Sequence, residues 1–374
     1  MARKKKSDTG GPRVPDSAEP MLAAGLAAVR NASCRQAEAA FAAAGGGDGA
    51  GFRHALATLG DMVFRNGCAA AEKAWEAPGA WRLRGAGARR KAGKTASDGE
   101  ILYLEVREQK IELPYKSERW PKNFDILSAS AYVLRGPIEP SPGFREGEAE
   151  APAAPPAEHV TVVGFYLKLF RKLVWELALR HGYRGPEHAV LLVDGSQSAS
   201  RTVWGLFNGA TRIVDFRELE LQALRCASHI FDGADQLDLL ERYQGEEIPK
   251  IEDRPAEWAD QILLNAWDGD VDEAAGYAKA ADYFDGPDET REFLGYLKKN
   301  RKLMDYPAFR RRGLYPGDGA LRRVPRLDLE GWLSDYWVED WNEDSLQAAA
   351  TLLDKHRSGL WDRDVAVPAR AVFG

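Results

Sequence analysis

Two apolar runs near the middle of this chain each end in an aspartate, a residue suited to metal or acid–base chemistry. Asp194 follows the run Ala189–Val193, and Asp215 follows the run Thr211–Val214. Open α/β sheets place ligand-binding and catalytic groups at the carboxyl ends of their strands. Because Mg²⁺ prefers oxygen ligands, several carboxylates that converge there would form a metal site. The chemistry open to Asp194 therefore depends on the side chains beside it.

The hydrophobic pattern predicts the elements that position these aspartates. Strands are expected over four earlier runs, at residues 101–106, 110–113, 124–134 and 159–163. Apolar residues between Tyr166 and Leu177 recur at helical spacing, and helices are also predicted at about 203–207 and 218–229. Three strands able to form an antiparallel meander, followed by alternating helices and strands, have the element order of the RNase H-like fold. We therefore predict an α/β protein with an RNase H-like mixed sheet.

Composition divides the chain into five predicted segments. The first begins with Arg and Lys but has no apolar stretch directly behind it, which is not the pattern of a secretory signal. The segments are a disordered basic arm (1–20), a helical N-terminal region with a basic connector (21–96), the RNase H-like core with a Pro- and Glu-rich loop at 136–158 (97–232), a large helical insertion (233–316), and C-terminal helices that complete the core (317–374).

The whole-chain composition excludes several classes of protein. The chain has 374 residues and a net charge of −6, which argues against a protein that coats nucleic acid over its whole surface but allows local basic patches. No apolar stretch approaches the roughly 18 residues of a membrane span, so no membrane association is expected. Three widely separated cysteines fit neither a disulfide framework nor a zinc site, and a reducing cytoplasm is predicted.

A basic cluster in the last third of the chain is a second candidate for function. It holds seven Lys and Arg residues within 298–312, with Tyr306 and Phe309 between them. Nucleic acids are bound by basic side chains that neutralise phosphates and by aromatic rings that stack on bases. The alternative is a solvated helix face that pairs with acidic residues. The candidate nucleic-acid-binding residues are Lys298, Lys299, Arg301, Lys302, Arg310, Arg311, Arg312, Arg322 and Arg323.

Three segments resemble the motifs of a group of bacterial insertion-sequence DDE transposases. Residues 300–323 are similar to the late region of that group, and 306–319 is the most specific part of the match. The sequence Val193-Asp194-Gly195, with Ile213-Val214-Asp215-Phe216 after it, is similar to the second motif of the group. Residues 102–114 resemble its first motif, a strand that runs into an Asp-Gly pair.

The resemblance implies an RNase H-like fold with three catalytic carboxylates that bind two metal ions. Only Asp194 stands at such a position, because Arg107 occupies the place of the first acid and Arg322 the place of the third. Arginine stays charged at any ordinary pH and would repel Mg²⁺. We therefore predict a domesticated, catalytically inactive transposase relative. It would be a DNA- or RNA-binding or assembly factor, nucleoid-associated in the cytoplasm, with no cofactor.

Other interpretations stay open from the sequence. An active Mg²⁺-dependent transposase or nuclease could use Asp98, Asp194 and Asp318 instead. A relocated metal site could be formed by Asp194 with Asp215 and Glu218, although Asp215 and Glu218 also fit the capping residues of a helix. Asp194 could instead form a buried ion pair with Arg107 or Arg322. The third possible function is a protein-interaction scaffold built on the tryptophan-rich C-terminal helices. The chain could also form a homo-oligomer or bind another protein.

Overall fold

The computed structural model of the protein describes residues 18–30, 34–78, 80, 99–112, 123–135, 157–164, 166–195, 203–232, 254–280, 288–317 and 342–373. Four residues with predicted roles, Asp98, Asp318, Arg322 and Arg323, lie outside these ranges, and their roles stay predictions. Most of the predicted basic arm and of the predicted Pro- and Glu-rich loop also lies outside them. Within the described ranges, no helix combines the length and the apolar character needed to cross a membrane.

Five strands form one mixed sheet in the order β3-β2-β1-β4-β5. β1 pairs antiparallel with β2, and β2 pairs antiparallel with β3. β4 runs parallel to β1, and β5 runs parallel to β4. The predicted mixed sheet is therefore confirmed. The strands are β1 (Glu100–Glu112), β2 (Asn123–Arg135), β3 (Glu158–Val163), β4 (Ala189–Val193) and β5 (Thr211–Val214).

The antiparallel half of the sheet differs in detail from the prediction. The runs 101–106 and 110–113 were predicted as two strands, but they belong to the single strand β1, whose ladder with β2 is continuous from Glu100 to Glu112. The third strand of the meander is instead β3. The apolar pattern of β1 is interrupted by polar residues after Val106. Val106 pairs with Val193, the last residue of β4, so β1 has no β4 neighbour beyond this point. Beyond that point β1 needs fewer apolar side chains.

Helices pack against the sheet, and every residue of β4 is buried, as expected for a parallel strand covered on both faces. The apolar face predicted from Tyr166 to Leu177 is confirmed for Phe170, Leu173, Val174 and Leu177, which are buried, whereas Tyr166 precedes the helix and is exposed. The helices are α1 (Ala18–Arg30), α2 (Cys34–Ala43), α3 (Gly49–Glu76), α4 (Leu167–Arg180), α5 (Phe216–Asp232), α6 (Arg254–Trp267), α7 (Val271–Ala280), α8 (Asp288–Asn300), α9 (Tyr306–Arg311), α10 (Glu343–Arg357) and α11 (Val367–Phe373).

Two hydrophobic cores share the long helix α3. Its first half, including Phe52 and Leu59, packs with α1, α2, α10 and α11. Its last turns, including Ala71, belong to the core around the sheet. The crossing of α3 with α10 is close, since a Cβ atom added at Gly60 would lie 2.5 Å from the Cβ of Ala348. A side chain at position 60 would therefore push these helices apart.

Side chains of α10 cover the outer edge of β3. The amide of Gln347 accepts a hydrogen bond from the backbone N–H of Val163 at 2.8 Å and donates one to the carbonyl of Thr161 at 2.9 Å. The hydroxyl of Ser358, which follows α10, accepts from the backbone N–H of His159 at 2.9 Å. These contacts satisfy backbone groups that an edge strand would otherwise expose to pairing with another chain.

Candidate functional site

The carboxyl end of β4 brings Asp194 beside β1. Val106 and Val193 form the last pair between the two strands, so Arg107 and Asp194 are the next residues on neighbouring strands. The Oδ2 atom of Asp194 accepts a hydrogen bond from the backbone N–H of Glu108 at 2.9 Å. The structure therefore places Arg107 next to Asp194, as the motif comparison predicted from the sequence.

Arg107 forms its ion pair with Glu218, which lies in the first turn of α5. Its Nη2 atom is 2.9 Å from Oε2 of Glu218, and Gln222 donates to Oε1 at 3.0 Å. Burial raises the pKa of Glu218, the Arg107 guanidinium opposes that rise, and the charge of Asp194 adds to it. An ion pair of Asp194 with Arg107 or Arg322 was one possibility from the sequence; the observed partner of Arg107 is Glu218, in the first turn of α5.

Asp215 caps α5. Its Oδ1 atom accepts from the backbone N–H of Arg217 at 2.9 Å, and its carbonyl accepts from Glu218 and Leu219. This is the capping role that the sequence predicted for Asp215. The chain after α9 passes close by, because a Cβ atom at Gly317 would lie 2.7 Å from Asp215 Oδ1. Gly317 has a φ of +95°, which favours glycine at this position.

Helix α8 completes the surroundings of Asp194. Gly195, with a φ of +81°, has a carbonyl that accepts from Lys299 Nζ at 3.2 Å and from Asn300 Nδ2 at 3.3 Å. A Cβ atom there would lie 2.4 Å from the ring of Tyr296. Burial raises the pKa of Tyr296 well above its usual value, and the charges of three neighbouring acids add to the rise. The acids are Glu218, Asp194 and Asp215.

We call Arg107, Asp194, Asp215, Glu218 and Tyr296 the strand-end cluster. Sequence reasoning missed Tyr296 and also its neighbour Asn300. A signal for Asn300 existed: it continues the buried face of α8 formed by Phe293 and Leu297, at helical spacing. An amide at such a position needs a polar partner, which here is Gly195.

The strand-end cluster does not fit the predicted metal chemistry. Among the described residues, which include Asp194, Asp215 and Glu218, no group of three or more His, Cys, Asp or Glu side chains is placed to hold a metal ion. The guanidinium of Arg107 pairs with the carboxylate of Glu218. Backbone N–H groups donate hydrogen bonds to one oxygen of Asp194 and to one oxygen of Asp215. The relocated metal site stays a hypothesis from the sequence. The set of Asp98, Asp194 and Asp318 extends outside the described residues.

The basic cluster divides into two sets. In the first set, side chains contact the protein itself: Arg310 stacks on Trp267 at 4.3 Å and donates to its carbonyl at 2.8 Å, and Arg312 donates to Thr211 Oγ1 at 2.9 Å. Arg301 pairs with Asp272, and Lys299 bonds Gly195. The second set, which is exposed at the surface, consists of Lys298, Lys302 and Arg311.

The aromatic residues within the basic cluster do not serve as predicted. Tyr306 and Phe309 were expected to be available for stacking on bases, but both are buried. The hydroxyl of Tyr306 donates to the carbonyl of Val214 at 3.1 Å, and its ring packs edge-on against Phe216. The prediction was wrong because these residues lie three apart on one face of α9, and that face packs into the core.

The chain was compared with models of known protein families, with curated proteins and with solved structures, and none of them matches. Function is therefore inferred from the site itself. The site consists of the strand-end cluster, with three carboxylates and one guanidinium, and of exposed basic residues from the end of α8 to the end of α9.

Proposed function

We propose that this protein is an RNase H-like relative of DDE transposases that binds nucleic acid and has no phosphodiester chemistry. The observation that carries the proposal is the 2.9 Å ion pair between Arg107 and Glu218 beside Asp194. Arg107 stands at the position where the transposase motif would have its first carboxylate.

The sheet supports the fold part of the proposal. The first three strands form an antiparallel meander, and β4 and β5 continue the sheet in parallel from β1. The helix α4 connects β3 to β4, and α5 follows β5. This is the element order of the RNase H-like fold, with Asp194 at the end of the fourth strand.

The electrostatics support the loss of chemistry. Two-metal catalysis needs carboxylates that together clamp the attacking and leaving oxygens of a phosphodiester. The guanidinium of Arg107 is fixed by Glu218 next to Asp194, and it keeps its charge at any working pH. The residues present therefore do not fit a pair of Mg²⁺ ions, and we derive no catalytic step through them.

The exposed basic residues support nucleic-acid binding. Lys298, Lys302 and Arg311 are solvent-exposed and form no ion pair with the other residues that the structure describes, so they can neutralise phosphates. The cluster spans the end of α8 and the end of α9. Lys299 and Arg301 of the predicted binding set are exposed as well, but they already contact Gly195 and Asp272.

The binding claim is tested with a labelled DNA duplex in a salt series. Changing Lys298, Lys302 and Arg311 to Glu should weaken binding strongly and flatten the salt dependence, by a slope of about 0.9 for each lost phosphate contact. The matched control changes three exposed basic residues of α3 and α4, Arg65, Lys73 and Lys168, to Glu. Equal losses in both triple variants, or no binding by the wild type, would contradict the proposal.

The inactivity claim is tested by cleavage and strand-transfer assays with Mg²⁺ or Mn²⁺. We expect no metal-dependent product from the wild type. The control is Asp194→Asn, which keeps the oxygen that accepts from Glu108. Metal-dependent activity that Asp194→Asn abolishes would overturn this claim and favour the active site of Asp98, Asp194 and Asp318.

A further inference from the structure

Trp204 is an exposed aromatic side chain on a fixed turn. It has 38% of its surface exposed, whereas its neighbours Val203, Leu206 and Phe207 are buried. The backbone N–H of Leu206 donates to Val203 at 2.9 Å, and that of Phe207 donates to Trp204 at 3.1 Å. The turn is therefore anchored around an indole that is open to solvent.

The guanidinium of Arg212 lies over the ring of Trp204. Its Cζ atom is 4.3 Å from the ring centroid, a cation–π arrangement that orients both side chains. Among the described residues, no carboxylate forms an ion pair with Arg212. The site thus combines a flat apolar ring with a positive charge that forms no ion pair within the described ranges.

The basic cluster contacts the residue of β5 that precedes Arg212. Arg312 donates to Thr211, the residue before Arg212 on β5, at 2.9 Å. β5 is the last strand of the sheet, and successive side chains of a strand point to opposite faces. Arg312 therefore lies on the face of Thr211 and Arg212 on the opposite face, and the exposed Arg311 precedes Arg312 along the chain.

We propose that Trp204 and Arg212 form a platform for an unpaired base of a nucleic-acid strand, whose phosphate contacts Arg212. Aromatic side chains stack on any base, and guanidinium groups bind phosphate through two parallel hydrogen bonds. Bases in a duplex already stack on each other, so the ring of Trp204 can receive only a base that is unpaired. This inference rests on the proposed nucleic-acid binding and narrows its ligand to strands with unpaired nucleotides.

The test compares labelled single-stranded DNA with a blunt duplex of the same sequence, by fluorescence anisotropy. Trp204→Leu keeps the apolar bulk of the turn but removes the ring face. It should weaken single-strand binding by roughly tenfold, the order expected from the loss of one stacked base, and change duplex binding by less than about twofold. Trp204→Phe should retain most of the single-strand affinity. Tyr166→Leu, at an exposed aromatic residue before α4, is the control and should have no effect.

The outcomes separate this inference from the proposed function. If the wild type binds neither DNA, both fail. If the wild type binds the duplex with the expected salt dependence but Trp204→Leu leaves single-strand binding unchanged, or weakens both DNAs equally, this inference alone fails. Thermal melting of each variant checks that it is folded. If Trp204→Leu does not fold, the single-strand affinity of Trp204→Phe is the test: most of it should be retained, and its loss would overturn this inference.

Discussion

Two helices dock on the sheet through polar side chains, and the two junctions differ chemically. α5 is joined to β1 by the ion pair between Arg107 and Glu218. α10 is joined to β3 by the amide of Gln347, which bonds the backbone of β3 as a neighbouring strand would. The first junction requires two opposite charges, and the second requires a neutral group with correct geometry. One sheet can therefore hold its helices by either kind of contact, and the two kinds respond differently to changes of charge and of geometry.

The largest effect is expected from Arg107→Met. It leaves the carboxylate of Glu218 buried without its charge partner, and the loss should be about 3–5 kcal/mol of unfolding free energy. The loss should shrink as the pH falls, because protonation of Glu218 removes the uncompensated charge. Chemical denaturation measures it. The double variant Arg107→Met with Glu218→Leu should recover most of the stability, and a double variant as unstable as the single one would contradict the role of the ion pair.

A smaller loss is expected from Gln347→Ala. The change leaves the N–H of Val163 and the carbonyl of Thr161 without their partner, at a cost of about 2–3 kcal/mol. Amide hydrogen exchange at Val163 should become faster. The control is Gln261→Ala on the exposed surface of α6, and equal losses for the two variants would show that Gln347 does not hold the edge.

The α10 junction should also depend on pH through Asp354. This side chain is buried and accepts from Thr161 Oγ1 at 3.1 Å. Burial raises its pKa to about 6, and Arg357 and Lys355 on the same helix oppose the rise. Because the pKa of Asp354 is higher in the folded protein than in the unfolded chain, ionisation of this carboxyl lowers the free energy of unfolding. That cost is absent at pH values below the unfolded pKa and is complete above about pH 7.

Asp354→Asn should therefore gain stability relative to the wild type as the pH rises from about 4 to about 8, by about 2 kcal/mol. His159, whose pKa burial lowers to about 4, makes its own pH dependence in both proteins and cancels in the difference. Melting temperatures across this pH range measure the effect. A difference that does not change with pH would show that Asp354 ionises without cost.

The smallest change in the free energy of unfolding is expected from the loss of a surface ion pair. Arg301 pairs with Asp272 on α7, and both side chains are more than half exposed. Arg301→Ala should change the unfolding free energy by less than about 0.5 kcal/mol, because water and salt screen exposed charges. A loss comparable with that of Arg107→Met would mean that burial is not what distinguishes the two pairs.

Local pattern was enough to predict some of the fold and of the site. The apolar runs gave β4 and β5, and helical spacing gave α4, because burial on one or both faces leaves a direct trace in residue type. The position of Arg107 beside Asp194 was predicted from motif spacing, and the register of β1 with β4 places it there.

The rest depended on contacts between distant parts of the chain. Glu218 is 111 residues from Arg107, and Gln347 is 184 residues from Val163, so no local pattern links them. Tyr306 and Phe309 were misinterpreted for a related reason. Composition shows that aromatic residues lie between basic ones in this segment, but only packing determines which of these side chains are buried.

The length of α3 has a consequence for how the molecule unfolds. The helix has 28 residues, so at about 1.5 Å per residue it is about 42 Å long. Its first half packs in one core and its last turns pack in the other. Unfolding of either core would remove packing partners from α3. The N-terminal helices and the sheet should therefore unfold together. A calorimetric scan should therefore show one cooperative transition whose van't Hoff enthalpy equals its calorimetric enthalpy.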